Sequence, residues 1–427
     1  MEYRSNRDAS PRVSLSHAIA TGTAPDGGLY LPTAVPRADV AALNLETDRV
    51  RFSEAVLRPY FTGDKLEVCL RRACEAAFSL SQPLRFLEQS TAMLELYHGP
   101  TCAFKDFGAR FLAQCVGFQR ETCWPMPHYD IFVATSGDTG GAVAAAFHSL
   151  PGVRVVVLFP SGRVSAPQRA HLSCWPNNVL PIAVDGSFDD CQCIVRELLS
   201  RSSIEQRTCA NSINIGRLLP QIAYTAWAAV RYQRLTGHAP GFIVPTGNLG
   251  NALGAYMART MGFPVREIVL ATNANRYLAD YFNDIAAAPT SVVHTLASAM
   301  DVAKPGNLAR VTALMNRDEL LACSEVVLAQ DADIRAAMGA AFRQRGLAVC
   351  PHTATALHAL GTRRTPHWVV VATAHPGKFP EVLRSVTGTA PELPVAVQRQ
   401  LARARPCTPV AARADAVEAV LAAGQAA

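Results

Sequence analysis

The stretch YDIFVATSGDTGGAVAAAFHSL, from Tyr129 to Leu150, divides into a strand (DIFVAT), a glycine-rich turn (SGDTGG) and a small-residue helix (AVAAAFHSL). The first piece is rich in β-branched and aromatic residues, which suit a pleated, buried strand. A strand that passes through glycines into a helix N-terminus leaves backbone N–H groups without acceptors, and these suit an anion. Ser136, Asp138 and Thr139 add side-chain donors and acceptors to the turn.

The same grammar continues downstream. VRVVVLFP reads as the next strand, with SGRVSAPQRAHL after it. VLPIAVDGSFDDCQCIVRELLS and ANSINIGRLLPQIAYTAWAAVRYQ each read as strand, turn and helix. GFIVPTGNLGNALGAYMARTMG, from Gly241 to Gly262, holds a second glycine-rich turn over Thr246, Gly247, Asn248, Leu249, Gly250 and Asn251. That turn is neither a nucleoside triphosphate loop, which needs Gly-Lys-Ser/Thr, nor GxGxxG. A small phosphate group, such as that of a vitamin cofactor, fits it better. REIVLATNANRYLADYF gives a further strand and loop, and LAVCPHTATALHAL reads as a turn and helix. HWVVVATAHPGKF is a strand that ends at Thr373, with His375 and Lys378 beyond. A hydroxyl at a strand's C-terminal end faces the crevice where open α/β sheets bind ligands. Alternation of this kind predicts an α/β fold with wound parallel sheets.

Upstream lies HGPTCAFKDFG, from His98 to Gly108, which contains Lys105 between Phe104 and Phe107 and beside Asp106. Phe107, Phe111, Leu112 and Cys115 follow at helical spacing, which places Lys105 at or near a helix start. Composition alone favours a solvated lysine there. An amine in a tight, partly apolar pocket is the alternative, and its neutral form would then be accessible near neutral pH. The later motifs favour the second reading.

At 427 residues the chain is long enough for two or three domains, and its 49% apolar and 17% charged residues mark it as globular. The formal charge of +6 is not gathered into a basic run, so no nucleic-acid partner is expected. MEYRSNRDASPR has no apolar segment behind its charges, and no apolar run approaches the roughly 20 residues of a membrane span. A cytoplasmic protein without a membrane partner, a monomer or a homodimer, is the expectation. The 12 cysteines include no C-x-x-C pair and no zinc-like spacing, so reduced thiols and no metal are expected. Cys102 is read as a small pocket-lining residue. Residues 1–92 form an N-terminal domain, read as scaffold or interface. Residues 93–129 and 220–385 form a large cofactor-binding domain, 130–219 a small substrate-binding domain, and 386–427 a peripheral C-terminal segment, expected to be helical.

One reactive lysine, two anion-binding turns and a strand-end threonine on a wound α/β chain point to pyridoxal 5'-phosphate (PLP). With HGPTCAFKDFG, ATSGDTGGA, NSINIGRLLPQ, VPTGNLGN and TAHPGKF in this order, the sequence resembles the threonine synthases. DGGLYLP and ASAMDVAKPGN match that family too, so the resemblance covers nearly the whole chain.

The resemblance implies PLP-dependent fold type II and the conversion of O-phospho-L-homoserine and water to L-threonine and phosphate. It implies Lys105 as the Schiff-base lysine and principal acid–base group. The turn Gly247, Asn248, Leu249, Gly250, Asn251 would take the cofactor phosphate, and Thr373 would meet the ring nitrogen. Thr135, Ser136, Gly137, Asp138 and Thr139 would bind the substrate carboxylate or the cofactor's ring-oxygen side. Arg163, Arg217 and Lys378 are candidates for the leaving phosphate, and His98 and His375 for places near the cofactor. Two positions depart from the family pattern. Arg276 stands where an acidic residue is usual, and Arg163 where lysine is common. Arg276, if it faces the pocket, would alter substrate choice. That leaves open a PLP lyase or replacement enzyme for a related phosphorylated or acylated amino acid, a specialised paralogue, or a PLP-binding homologue without turnover.

Overall fold

The computed structural model describes residues 1–122, 129–176, 178–201, 207–285 and 291–423. Most of the loop ETCWPMPH, with Cys123, lies outside the described residues.

The chain opens with an antiparallel ribbon of β1 (Tyr3–Ser5) and β2 (Tyr30–Pro32). The helices Arg49–Phe61 and Leu70–Phe78 follow. Next comes the hairpin of β3 (Leu84–Glu88) and β4 (Thr91–Glu95), and then the long helix Lys105–Thr122. The strands β5 (Tyr129–Ala134), β6 (Val153–Pro160), β7 (Val179–Asp185) and β8 (Arg207–Cys209) alternate with helices. So do β9 (Gly241–Pro245), β10 (Ile268–Thr272), β11 (Ser324–Leu328) and β12 (Trp368–Ala372). The last strand is β13 (Thr408–Ala411), and the helix Ala414–Ala423 follows it.

Among the described residues the α/β body has two sheets. The larger has the order β11-β10-β9-β12-β4-β3, parallel except for β3. The smaller has the order β13-β7-β6-β5-β8 and is parallel throughout. Strands β4, β5, β9, β10 and β12 are buried along their whole length, as parallel strands covered on both faces must be.

Several elements depart from the sequence expectations. The strand near Asn211 lies just upstream, at Arg207–Cys209, and β11 was not foreseen. The β3–β4 hairpin puts residues 84–92 on the larger sheet. The C-terminal segment is partly strand, because β13 pairs with β7 and extends the smaller sheet. It carries only alternate half-buried residues, which is the weak pattern of an edge strand.

The main core joins the N-terminal helices to the helix that starts at Lys105. Phe78 and Tyr224 both pack on Phe107, at 5.9 and 5.5 Å between ring centroids. Phe61 meets Phe111 edge-on at 5.8 Å, and Phe52 meets Trp227 at 5.1 Å. Aromatic contacts of this geometry add roughly 0.5–1.5 kcal/mol each beyond the area they bury. The contacts on Phe107 and Phe111 fix the helix that Lys105 opens.

Candidate active site

Lys105 is the first residue of its helix. Backbone hydrogen bonds dock the loop before it onto the end of β12. The Leu96 N–H donates to the Ala372 carbonyl at 3.0 Å, Phe104 to Thr373 at 2.9 Å, and His375 to Cys102 at 3.0 Å. Lys105 and Thr373 therefore share one wall of a cavity of about 660 Å³. Asp106 does not accompany the amine. Its carboxylate turns back to accept the Thr101 N–H at 3.0 Å and hydroxyl at 2.6 Å.

The Lys105 side chain is only 17% exposed. Burial lowers its pKa, and the nearby Lys378 and Arg217 charges act in the same direction against the opposing pull of Asp138. A helix N-terminus also disfavours an ammonium, since the helix dipole is positive there. A neutral amine is thus more accessible at neutral pH than for a solvated lysine. The Phe104 ring centroid lies 4.9 Å from Nζ.

The Gly247–Asn251 turn lines the same cavity. Leu249 takes a left-handed conformation (φ 60°), and the helix starts at Gly250. Its first-turn N–H groups have no intrahelical acceptors. Gly247 approaches the neighbouring chain so closely that an added Cβ would lie 2.6 Å from the Met300 Cα. Asn248 anchors the turn. Its amide donates to the Ser212 hydroxyl at 2.8 Å, and its carbonyl accepts from the Asn307 side chain at 2.9 Å. Asn251 accepts a hydrogen bond from the Tyr224 hydroxyl at 2.9 Å, while its buried Nδ2 has no partner. An unpaired buried N–H beside a helix N-terminus fits a phosphate group.

The first turn is built differently. The Thr135 hydroxyl accepts the N–H groups of Gly137 and Gly140, both at 2.9 Å, so it shapes the turn. Gly137 adopts φ 142°, open to glycine alone in practice, and the helix begins at Asp138 rather than at Ala142. The Asp138 carboxylate is buried and engaged. It lies 2.6 Å from the Lys378 ammonium and accepts from Gln168 at 3.2 Å. Burial alone would raise this carboxyl, but the Lys378 and Lys105 charges outweigh it and hold it well below the usual carboxylate range. An ionised Asp138 repels a substrate carboxylate, which leaves Ser136 and Thr139, with nearby N–H groups, as the cavity-lining donors of this turn.

Other expected residues do not reach the cavity. Lys378 is 1% exposed and donates to the Thr101 carbonyl at 2.9 Å, so it is a buried tie and not an open phosphate ligand. Arg163 is exposed on the surface and donates to His294 at 3.1 Å. Arg276 is 59% exposed and pairs with Asp280, one helical turn away, at 2.8 Å. Its charge is taken up in this surface pair. His98 pairs with Glu95 at 2.8 Å, and His375 accepts the Gly377 N–H. Cys102 stays a buried thiol, with its pKa pushed up to about 11 by burial.

Arg217 does line the cavity. Its Nη1 donates to the Ala210 carbonyl at 2.6 Å, and its buried Nε has no partner. Burial lowers its pKa to about 10, still far above neutrality. Sequence reasoning missed His352, which lines the cavity with its pKa lowered by burial to about 4 and is therefore a neutral ring. It also missed Asn6, Arg7 and Leu29, by which the N-terminal segment closes one wall. The only advance signal for them was the DGGLYLP motif.

A buried lysine, a helix-N-terminal phosphate cradle with an unpaired amide, and a strand-end hydroxyl in one cavity define a PLP-dependent enzyme. The family model "Pyridoxal-phosphate dependent enzyme" matches residues 83–374. "Threonine synthase N terminus" matches residues 2–78, and "Threonine synthase, C-terminal" matches residues 348–421. Threonine synthase of Escherichia coli is 34% identical over 402 residues, which cover 92% of this chain and 93% of that protein. The Serratia marcescens threonine synthase is 33% identical over 406 residues, 93% of each. In structure, the chain superposes on the E. coli threonine synthase crystal structure with a TM-score of 0.92 at 31% identity, covering 99% of this chain and 100% of that one. It superposes on PLP-bound threonine synthase from Brucella melitensis with a TM-score of 0.88 at 28% identity, covering 99% and 98%. The chain belongs to the threonine synthase family of fold type II PLP enzymes. Among the described residues no helix is long and apolar enough to cross a membrane.

Proposed function

We propose that the protein converts O-phospho-L-homoserine and water to L-threonine and phosphate. The observation that carries this reading is that one cavity holds the Lys105 amine, two helix-N-terminal turns and the buried Arg217 guanidinium. The Gly247–Asn251 cradle suits a cofactor phosphate, the Ser136 and Thr139 donors of the first turn suit a substrate carboxylate, and Arg217 suits a second phosphate. The match to threonine synthases over most of the chain supports the same substrate.

In this reading Gly247–Asn251 would hold the cofactor phosphate, Thr373 would meet the ring nitrogen, and Lys105 would anchor the aldehyde carbon until the substrate amine displaces it. PLP, when bound, supplies the electron sink that stabilises negative charge developing at the substrate α-carbon. Ser136 and Thr139 orient the substrate carboxylate. Lys105 Nζ, set free when the substrate amine takes its place, would remove the α-proton and then a β-proton, the loss that lets the γ-phosphate leave, and would return protons at the γ- and α-carbons. Arg217 and the Ser212 hydroxyl hold the departing phosphate, where charge builds. Water then adds at the β-carbon. The N-terminal wall of Asn6, Arg7 and Leu29 limits the entry of bulk water.

PLP-reconstituted protein incubated with O-phospho-L-homoserine tests this. Equal amounts of threonine and inorganic phosphate are expected. Formation of 2-oxobutanoate and ammonia in place of threonine would make the protein an eliminating lyase. Arg276 supplies a further prediction. An exposed ion pair contributes about 0–1 kcal/mol, so Arg276→Glu should leave kcat/KM for this substrate within about twofold. A tenfold change would mean that this side chain reaches the substrate after all.

A further inference from the structure

Lys378 and Asp138 form a buried ion pair, at 1% and 3% exposure, directly beside the Lys105 amine. The three residues come from separate parts of the fold. Lys378 follows β12 on the larger sheet, Asp138 starts the helix after β5 on the smaller one, and Lys105 opens its own helix. Lys378 Nζ lies 2.6 Å from one carboxylate oxygen of Asp138, while Lys105 Nζ lies 3.9 Å from the other. Lys378 also donates to the carbonyl of Thr101, which belongs to the loop that delivers Lys105.

We propose that Lys378 is a positioning residue that neutralises Asp138 and so leaves Lys105 as the group able to give up its proton. The inference rests on Lys105 being the cofactor-bearing amine. Two ammonium groups share one carboxylate in a desolvated site. A low dielectric favours the state of least net charge, in which one lysine is neutral. Lys378 has the shorter ion pair and donates to the Thr101 carbonyl, so it is the ammonium fixed against Asp138. Lys105 has the longer contact and a helix N-terminus, so it yields its proton. The other groups facing Lys105 are Arg217 on the turn Ile215–Arg217, and Cys350 and His352 at the start of the helix Pro351–Gly361. Arg217 adds positive charge, and the thiol and the neutral ring add none. The balance at Lys105 is thus set by Asp138 on one side and Lys378 with Arg217 on the other. Removal of Lys378 would leave Asp138 to hold the Lys105 ammonium. Removal of the Asp138 charge would leave Lys378 to oppose it.

The test is the pH dependence of Lys105 acetylation by acetic anhydride in the full-length, PLP-stripped protein, read by mass spectrometry of the Lys105 peptide. Far-UV circular dichroism monitors folding. Lys378→Met should raise the midpoint by about one pH unit or more, a tenfold fall in reactive amine at fixed pH below it. Asp138→Asn should lower the midpoint, and the double variant should return close to the wild type. If Lys378→Met does not fold, a downward shift in Asp138→Asn that the double variant cancels still supports the proposal. An unmoved or lowered midpoint in Lys378→Met overturns it. So does an upward shift in Asp138→Asn, or a double variant displaced as far as either single one. Borohydride fixation of PLP on wild-type protein is read separately. Attachment at a lysine other than Lys105 would sink the cofactor reading, whatever the midpoints show.

Discussion

Lys105→Ala should lower turnover of O-phospho-L-homoserine by on the order of 10³-fold or more and abolish covalent cofactor attachment. The amine is the cavity's candidate for bonding the cofactor aldehyde and for moving the α-proton. Lys378, which shares Asp138 with it, is fixed between Asp138 and Thr101 and cannot substitute for it. The fold should survive the change. Lys105 opens a helix whose packing runs through Phe107 and Phe111, and alanine is a good helix former. PLP should still enter, because its phosphate site on Gly247–Asn251 is untouched. The variant should therefore bind PLP reversibly, lose the absorbance band of the lysine-linked cofactor, and release all PLP on dialysis. A retained band, or dialysis-resistant PLP, would show that another amine carries the cofactor.

Gly247→Ala should weaken PLP binding by about tenfold or more, which corresponds to about 1.4 kcal/mol. The new Cβ would lie 2.6 Å from the Met300 Cα and 3.1 Å from its carbonyl oxygen. Both are backbone atoms, so no side chain can swing aside. The turn must move instead, and it is tied through Asn248 to Ser212 and Asn307. Moving it displaces the N–H groups that would hold the phosphate. Overpacking of this kind costs about 1–3 kcal/mol of stability, so the denaturation midpoint should fall as well. Gly250→Ala is the internal comparison. Its Cβ would press only on the end of the Leu218 side chain, at 3.3 Å, with Ser212 and Asn307 at ordinary contact distances of 3.8 and 3.9 Å, and it sits in a helix. It should bind PLP more tightly than Gly247→Ala. Equal affinity of Gly247→Ala and wild type, measured by PLP titration, would rule out the turn as the phosphate site.

Much of the fold was legible because its strands are buried on both faces and read as continuous apolar runs. VRVVVLFP coincides with β6, and GFIVP with β9. The elements that escaped are those with weak local patterns. Strand β8 has three residues, β11 is no more than half-buried along its length, and β13 alternates half-buried with exposed positions. The early start of the helix at Asp138 depended on the Thr135 hydroxyl reaching two N–H groups, and periodicity does not register that contact.

The candidate site divides along the same line. Lys105, the Gly247–Asn251 turn and Thr373 were identifiable because each sits at a junction of strand, turn and helix, and such junctions are written in contiguous residues. Which charged groups face the cavity was not. Lys378 reaches the Thr101 carbonyl across 277 positions of chain, and Arg276 turns outward to a neighbour on its own helix. A sequence by itself specifies local conformation, burial pattern and the family its motifs belong to. The partners of a charged side chain depend on how distant segments pack. Here only the packing of the two sheets could assign Asp138 to Lys378, draw Asn6 and Arg7 into the wall, and leave Lys105 as the amine in between.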